Sequence, residues 1–214
     1  MTNQPPAEIE APWIASDIRA NDIESPLWLS ANPVAVTRQW SGEVAPPSRH
    51  AEACILWTNQ ALCVRFVCRQ TEPLIISSKP LLHEKSIGLW NRDVCEIFIA
   101  PDPRTPEDYF EFEAAPTGEW IDLAISFEGT TRKTDFEFES GMTVSASIVG
   151  EQLTVAMRIP WSDVIPKPEK GQRWRVNLFR CVGTGNERYL AWQPTYTAEP
   201  NFHVPEVFGW LKFV

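Results

Sequence analysis

The chain is a succession of short apolar runs, each followed by proline, glycine, asparagine or aspartate. The segment after Asp108 alternates most clearly, with aromatic rings at Phe110 and Phe112 on one face. Glu111 and Glu113 fall on the opposite face. Runs of this kind predict β-strands. We expect ten strands, over residues 53–57, 61–69, 94–100, 109–113, 120–127, 143–149, 152–159, 173–181, 189–192 and 208–214.

Turn residues join several of these runs into hairpins. Residues 58–60 separate the first two predicted strands, and Gly150 with Glu151 forms a two-residue turn between two others. Residues 115–118 fit a type I turn, because proline is second and glycine fourth. Helical periodicity is weak, and its best candidate is a single turn at residues 162–165. The pattern predicts an all-β, antiparallel β-sandwich of the immunoglobulin or jelly-roll type, with few or no long helices.

Length and composition indicate one globular domain. The 214 residues are 43% hydrophobic and 22% charged, and no linker or composition break divides them. We place a single β-sandwich domain over residues 13–214, after a poorly ordered segment of residues 1–12 that is rich in proline and glutamate. The five cysteines lie in or beside apolar runs, which favours buried free thiols over a Cys54–Cys63 bridge.

Charge and hydropathy exclude two classes of partner. The net charge of −9 disfavours nucleic acid and anionic membrane surfaces, because both attract clustered lysine and arginine. No apolar run reaches the roughly 20 residues of a membrane span. The first residues contain neither a basic nor an apolar signal region. We therefore expect a cytoplasmic protein, or an extracellular or periplasmic one if a leader has been removed.

The segment from Leu89 to Ile99 carries the strongest candidate chemistry. Trp90 precedes an amide, a guanidinium and two carboxylates, where a predicted loop meets an apolar strand. A flat ring can stack on a pyranose face, and carboxylates can accept hydrogen bonds from sugar hydroxyl groups. The pattern favours a sugar site that includes Trp90, Arg92, Asp93 and Glu96.

Each of these residues also has a structural interpretation. Trp90 could be a core aromatic residue, like most of the ten tryptophans. Glu96 could pair with Arg92 or Arg180 rather than with a ligand. Asp93 suits the capping of loop backbone, as short acidic side chains often do.

Further along the chain, other polar residues leave alternatives open. Glu111 and Glu113 favour a solvated strand face, and their alternative is a glycosidase pair about 7 Å apart. Asn177 and Arg180 lie within an apolar run, where they either line a site or satisfy buried backbone groups. The three histidines have no metal-ligand spacing, and residues 102–108 offer acidic oxygens without the regular spacing of a calcium loop. No catalytic residue and no metal ligand is assigned.

Four blocks of the sequence together resemble carbohydrate-binding module family 9 and its stand-alone relatives, a group of β-sandwich domains. The blocks follow one another between Trp28 and Val214 in the order that the family shows. They are residues 89–98; residues 109–112 with Gly118 and Asp122; residues 159–162; and Gly171, Trp174, Arg175, Asn177 and Arg180 leading to Trp192, Phe208 and Gly209.

This resemblance implies carbohydrate binding, in which two aromatic rings clamp the end of a sugar chain. The first ring matches Trp90, in a block that also contains Asp93 and Glu96. The second matches Phe202, where the family typically has tryptophan, so the stacking surface is smaller and has no N–H. The resemblance further implies a mono- or oligosaccharide ligand, a role in carbohydrate catabolism, a possible glycoside hydrolase partner and Ca²⁺ at unassigned ligands.

Three other functions remain open. One is hydrolysis of O-glycosyl bonds through Glu96, Glu111 or Glu113. A second is haem binding, as in a related sandwich group, with Met142 and Met157 as the available methionines. The third is an interaction domain that has lost sugar binding, which the phenylalanine in place of tryptophan favours. We expect binding without catalysis.

Overall fold

A computed structural model describes residues 7–214, which form a two-layer β-sandwich. The strands are β1 (Glu8–Ala11), β2 (Val34–Val36), β3 (Arg38–Gln39), β4 (Ala51–Trp57), β5 (Ala61–Arg69), β6 (Val94–Ala100), β7 (Tyr109–Ala114), β8 (Trp120–Glu128), β9 (Thr131–Asp135), β10 (Thr143–Val149), β11 (Gln152–Pro160), β12 (Arg173–Cys181), β13 (Tyr189–Ala191) and β14 (Gly209–Phe213). The helical segments in this part of the chain are short 3-10 turns, at Pro26–Ser30, Pro47–Arg49, Leu89–Asn91, Asn186–Arg188 and Pro205–Val207. Residues 7–214 contain no helix long and apolar enough to cross a bilayer.

The larger sheet has nine strands and carries the region of interest. Its main path runs β1-β14-β12-β6-β7-β8-β9, and β13 and β3 continue beside β12. The pairs along this path are antiparallel except β1 with β14, which is parallel. The smaller sheet has five strands in the order β10-β11-β5-β4-β2.

The main core lies between the two sheets. Alternate residues of β6, namely Cys95, Ile97 and Ile99, face the smaller sheet and are buried among the side chains of β5 and β11. Burial of such side chains contributes about 1.5–3 kcal/mol each to folding. The intervening residues of β6 point to the other face of the larger sheet, where Phe98 belongs to a second buried cluster with Phe179. This second cluster supports the candidate site.

The structure confirms the predicted all-β sandwich and extends the predicted strand set. All ten predicted strands are present, while β1, β2, β3 and β9 have no counterpart in the prediction. The strand β9 has the sequence Thr-Arg-Lys-Thr-Asp and lies at a sheet edge, so it needs no apolar alternation.

The amino-terminal segment differs from its predicted poor order over the residues that are described. Residues 8–11 form β1, in which Ile9 and Ala11 are buried against the sandwich. Pairing with β14 satisfies backbone hydrogen-bonding groups of this segment. The proline- and glutamate-rich composition of the segment did not indicate this pairing. Residues 1–6 lie outside the described part of the chain.

The buried cysteines and methionines belong to the hydrophobic interior. All five cysteines are buried free thiols. Met142 and Met157 are 5% and 1% exposed and pack in the core between the sheets.

Candidate functional site

A cleft of about 330 Å³ lies on the face of the larger sheet that points away from the smaller one. Strands β6, β7, β8 and β12 supply its floor, and the turn before β6, strand β13 and residues 200–203 supply walls. The floor residues are Glu96, Phe98, Glu111, Leu123 and Cys181; the wall residues are Trp90, Tyr189, Pro200, Asn201, Phe202 and His203; Arg132, Thr134 and Phe136 complete the rim.

Three buried glutamates, the floor carboxylates, are brought together by strand register. Glu96 on β6 is paired with Glu113 on β7, and Glu111 lies two residues before Glu113 on the same face. One oxygen from each side chain lies within 4.8 Å of the others. Glu96 and Glu111 line the cleft, while Glu113 is fully buried beside them.

The floor carboxylates receive few hydrogen bonds from the protein. The thiol of Cys181 donates to Glu96 Oε1 at 3.3 Å. Within residues 7–214, Glu111 Oε2 and both oxygens of Glu113 have no hydrogen-bond partner. Because buried polar groups are nearly always paired in native proteins, these three oxygens are exceptional.

Burial without partners shifts the protonation of these groups. Desolvation and the charge of Glu111 raise the pKa of Glu96 to about 8. Desolvation also raises the pKa of Glu111, and together with the charges of Glu96 and Glu111 it raises the pKa of Glu113 well above its ordinary value. Near neutral pH the floor therefore retains protons that ordinary glutamates would have lost.

His203 adds no positive charge to this floor. Burial and the charge of Arg132 lower the pKa of His203 to about 3, so its ring is neutral at pH 7. A hydrogen bond of 2.7 Å joins its Nδ1 to the hydroxyl oxygen of Tyr109. The same Nδ1 lies 3.9 Å from Glu111 Oε2, which is beyond hydrogen-bond distance.

Trp90 is held at the cleft by a constrained turn. Gly88 adopts a left-handed conformation at φ 81°, which starts the 3-10 turn Leu89–Asn91. The guanidinium of Arg188 donates to the carbonyl oxygens of Asn91 and Arg92, and so ties this turn to the start of β13. The indole is only partly buried and is supported by the second cluster, so part of its ring lines the cleft.

Phe202 is a packed wall residue rather than an exposed platform. Its ring is 8% exposed and stacks on Phe179, with ring centroids 4.1 Å apart and planes 16° from parallel. Tyr189 meets it edge to face at 5.7 Å. One face of the Phe202 ring is therefore already covered by protein, whereas Tyr189 is only partly buried.

Arg92 and Asp93 lie next to Trp90 in sequence but do not line the cleft. The Arg92 guanidinium donates to Glu119 Oε1 at 2.7 Å. Asp93 is buried, and its carboxylate accepts from Gln70 Nε2, from the Ile75 amide and from the Gly183 amide. The structure places both residues as supports for the turn that carries Trp90.

Asn177 and Arg180 are also engaged away from the cleft. The Asn177 side chain exchanges hydrogen bonds with the backbone of Gln193. Arg180 lies on the core-facing side of β12 and donates to three backbone carbonyls and one amide oxygen at one end of the sandwich, those of Arg49, His50, Arg69 and Gln70. Of the seven residues predicted from sequence, the structure thus brings Trp90, Glu96 and Phe202 together in one cleft.

Glu111, Tyr189, Asn201 and His203 are among the cleft residues that the sequence analysis did not assign to the site. The expected solvated face for Glu111 and Glu113 is wrong, because their exposed fractions are 3% and 0%. Period-2 alternation and the pairing of β6 with β7 were available signals for Glu111. Tyr189 comes from β13, and only the fold brings it to the cleft.

The described residues offer an incomplete site for calcium. The floor carboxylates are the group that could hold a metal ion in this part of the chain. Ca²⁺ requires six to eight oxygen ligands, whereas the other floor side chains, Cys181, Phe98 and Leu123, supply none, and Thr134, Tyr189 and Asn201 lie on the rim and walls. In the loop of residues 102–108, both oxygens of Asp102 accept from Arg104, while Glu107 and Asp108 are exposed to solvent.

Comparisons with known proteins agree with this architecture. The profile of a family described as carbohydrate family 9 binding domain-like matches residues 22–214. No protein with a curated description matches the chain.

Solved structures give the same fold at low sequence identity. A Bacteroides uniformis protein, provisionally described as carbohydrate-binding, has a TM-score of 0.74 and 17% identity, with coverage of 98% of this chain and 100% of its own. A family 9 carbohydrate-binding module of Caldicellulosiruptor kristjanssonii, in complex with cellotriose, has a TM-score of 0.67 and 15% identity, with coverage of 97% and 93%. The glucose complex of a family 9 module from the same organism has a TM-score of 0.64 and 16% identity, with coverage of 97% and 96%.

These structural likenesses establish the shared fold, and the family profile covers most of the chain. The sequence blocks around Trp90, the two-sheet sandwich and the profile match point to the same group. The chain therefore belongs to the carbohydrate family 9 binding domain-like family.

Proposed function

We propose that this protein binds a carbohydrate in the cleft beside Trp90, by aromatic stacking combined with polar contacts. The observation that carries the proposal is the partly exposed indole of Trp90 in one cleft with the buried carboxylate of Glu96. A pyranose needs this pair of features, because its ring faces are apolar and its edge carries hydroxyl donors. Family membership supports the proposal.

The size of the cleft favours a short ligand. Its volume of about 330 Å³ is at the lower end of the roughly 300–1,000 Å³ that is usual for ligand pockets. We infer that the site takes a monosaccharide or the terminal unit of a chain. The complexes of the Caldicellulosiruptor modules with glucose and cellotriose are in keeping with a ligand of this class.

Each residue has a distinct role in this proposal. Trp90 stacks on one face of the sugar, and Tyr189 and Phe202 limit the space on the other walls. Glu96 accepts hydrogen bonds from hydroxyl groups. Arg92 and Asp93 act indirectly, because they hold the turn that presents Trp90.

Isothermal titration with glucose, cellotriose and a panel of other mono- and oligosaccharides tests the proposal. Trp90→Ala should weaken binding about tenfold, since stacking and burial of the ring contribute on the order of 1–2 kcal/mol. Trp13→Ala is the matched control, because Trp13 is 44% exposed and does not line the cleft. Equal affinities in wild type and Trp90→Ala would place the site elsewhere, and a folded protein without affinity for any sugar would overturn the proposal.

A second candidate function is hydrolysis of a glycosidic bond, which the raised pKa of Glu96, about 8, favours. In glycosidases two carboxyl groups flank the scissile bond, whereas the floor carboxylates share one floor. Release of reducing sugar that disappears in Glu96→Gln would support this function. Association with a glycoside hydrolase would instead appear as faster hydrolysis when this protein is added to such an enzyme.

A further inference from the structure

The floor carboxylates are suited to a positively charged group on the ligand. Building on the proposed sugar binding, we propose that the cleft selects amino sugars and receives their protonated amine at Glu96, Glu111 and Glu113. The ligand class would be a 2-amino-2-deoxy hexose or a chain that ends in one.

The three carboxylates lie close enough together to share one ammonium group. One oxygen from each glutamate lies within 4.8 Å of the other two. An ammonium nitrogen directs its three N–H donors tetrahedrally, so acceptors at hydrogen-bond distance lie about 4.6 Å from one another. A single –NH₃⁺ group can therefore meet all three side chains.

The protein does not supply the donors that these oxygens require. Glu113 is 0% exposed and receives no donor from residues 7–214 apart from the neighbouring Glu111, with which it can share a proton. Glu111 Oε2 is in the same situation. An unpaired buried carboxylate is costly, so an external donor with positive charge would gain most at this place.

The nearby cationic side chains are directed elsewhere. Arg92 is bound to Glu119, and Arg188 donates to backbone carbonyls of the Trp90 turn. Arg132 is exposed at the rim, and His203 is neutral. The charges of Arg132 and Arg188 lower the pKa values of Glu111 and Glu96 from a distance, but no lysine or arginine of residues 7–214 forms an ion pair with the floor carboxylates.

The walls favour an organic cation over a metal ion. Trp90 and Tyr189 present aromatic rings, which attract cations through their faces and also stack on sugar rings. A metal ion gains nothing from these rings and needs further oxygen ligands. Phe98 and Leu123 of the floor offer none, and the oxygen-bearing side chains of Thr134, Tyr189 and Asn201 lie on the walls and rim.

Calorimetry at pH 6.5 with glucosamine, N-acetylglucosamine and glucose isolates the contribution of the charge. The three sugars share a ring, and of these only glucosamine carries an ammonium group. Because hydrogen bonds to charged groups are strong, glucosamine should bind at least about tenfold more tightly than either of the others. Equal affinities for the three sugars would overturn this inference and leave the proposed carbohydrate binding intact.

Two variants connect the preference to the floor carboxylates. Glu113→Gln keeps the shape of the side chain and removes its capacity to ionise against an ammonium group, so the ratio of glucosamine to glucose affinity should fall severalfold. Glu111→Gln should also lower this affinity ratio severalfold, and it provides the test if Glu113→Gln does not fold. Glu151→Gln is the control, because Glu151 is exposed in the turn between β10 and β11, in the smaller sheet. An unchanged ratio in both floor variants would overturn the inference.

Titration with CaCl₂ and MgCl₂ in the absence of sugar tests the alternative occupant. Saturable binding that Glu113→Gln abolishes, together with equal sugar affinities, would assign the floor to a divalent metal and overturn the inference. No affinity for glucosamine, N-acetylglucosamine or glucose in a folded sample would overturn both the inference and the proposed function.

Discussion

Two sets of buried carboxylates in and around the larger sheet differ in how many donors the protein provides to them. The paired carboxylates, Asp93, Glu119 and Asp122, are each 1% exposed, and the floor carboxylates are 0–3% exposed. Equal burial therefore does not distinguish the two sets. Their partners do, and this difference separates residues that hold the fold from residues that are available to a ligand.

Glu119 and Asp122, two of the paired carboxylates, are each contacted by a cation and by further donors. Glu119 accepts from Arg92, Ser86 and Thr117. Asp122 is bound by Lys85 at 2.8 Å and by the amide and hydroxyl of Ser140. In each case several hydrogen bonds offset the free-energy cost of removing the charge from water.

The floor carboxylates, in contrast, receive almost no hydrogen bonds from the protein. Their only protein donor in the described chain is the Cys181 thiol, and a thiol is a weak donor. The fold therefore bears an energetic cost at the bottom of its cleft. Such costs are typical of functional sites, so carboxylates with few protein donors help to locate a functional site.

The largest expected effect comes from breaking a paired carboxylate. Lys85→Met should lower the free energy of unfolding by about 3 kcal/mol, because it leaves Asp122 buried without its cation. Urea denaturation at pH 7 measures this change. Lys133→Met is the control, because Lys133 is 57% exposed in its pair with Glu128, and it should change stability by less than about 0.5 kcal/mol. Similar losses of unfolding free energy in the two variants would show that burial does not determine how much an ion pair contributes to stability.

A smaller effect should appear in the pH dependence of stability. In the folded protein the pKa of Glu96 is about 8, against an ordinary 4.5, so between these values the folded state holds a proton that the unfolded state has lost. Stability is therefore present at low pH and is lost as pH rises through 8. His203 has an ordinary pKa of 6.5 and a folded pKa of about 3, so its contribution is constant above pH 6.5.

The free energy of unfolding should consequently fall by about 2 kcal/mol between pH 6.5 and pH 8. Chemical denaturation at several pH values measures the slope, and Glu96→Gln should reduce it. A slope that is flat in the wild type, or identical in wild type and variant, would show that the floor does not retain protons.

The smallest expected effect is a difference in sign between two identical substitutions. Glu113→Gln should raise the free energy of unfolding at pH 8 by about 1 kcal/mol, because the amide avoids the cost of protonating a buried acid. Glu119→Gln should lower it by about 1–2 kcal/mol, because it weakens the charge-assisted bond with Arg92. Thermal unfolding of both variants at pH 8 is sufficient, and two changes of the same sign would contradict the comparison.

Much of the fold could be predicted because its strands carry strong local patterns. β6, β7 and β12 alternate or are continuously apolar, so their sequences indicate strands directly. β9 is polar and β2 and β3 are only three and two residues long, so their pairing depends on neighbouring strands. Nothing in their local composition predicts it.

The candidate site likewise contains some residues that could be predicted from sequence and others that could not. Trp90 and Glu96 could be selected because their sequence context brings a ring and a carboxylate to the start of one strand. Arg180 could not be placed, because its role depends on carbonyl groups of residues 49, 50 and 69, far away in the chain. The burial of Glu111 could not be foreseen either, because residues 132–136 and 200–203 cover its face only in the folded protein.

The sequence by itself determined the all-β class, the membership of the family and the presence of Trp90 and Glu96 near one loop. These properties follow from local alternation and from short motifs, which need no long-range contact. The tertiary structure decided which carboxylates are neutralised. Partners such as Lys85 with Asp122 and Arg92 with Glu119 are 37 and 27 residues apart, and the floor carboxylates meet through the pairing of β6 with β7. Whether a buried charge has a partner is a property of three-dimensional distance, so it emerges only when the sheets have formed.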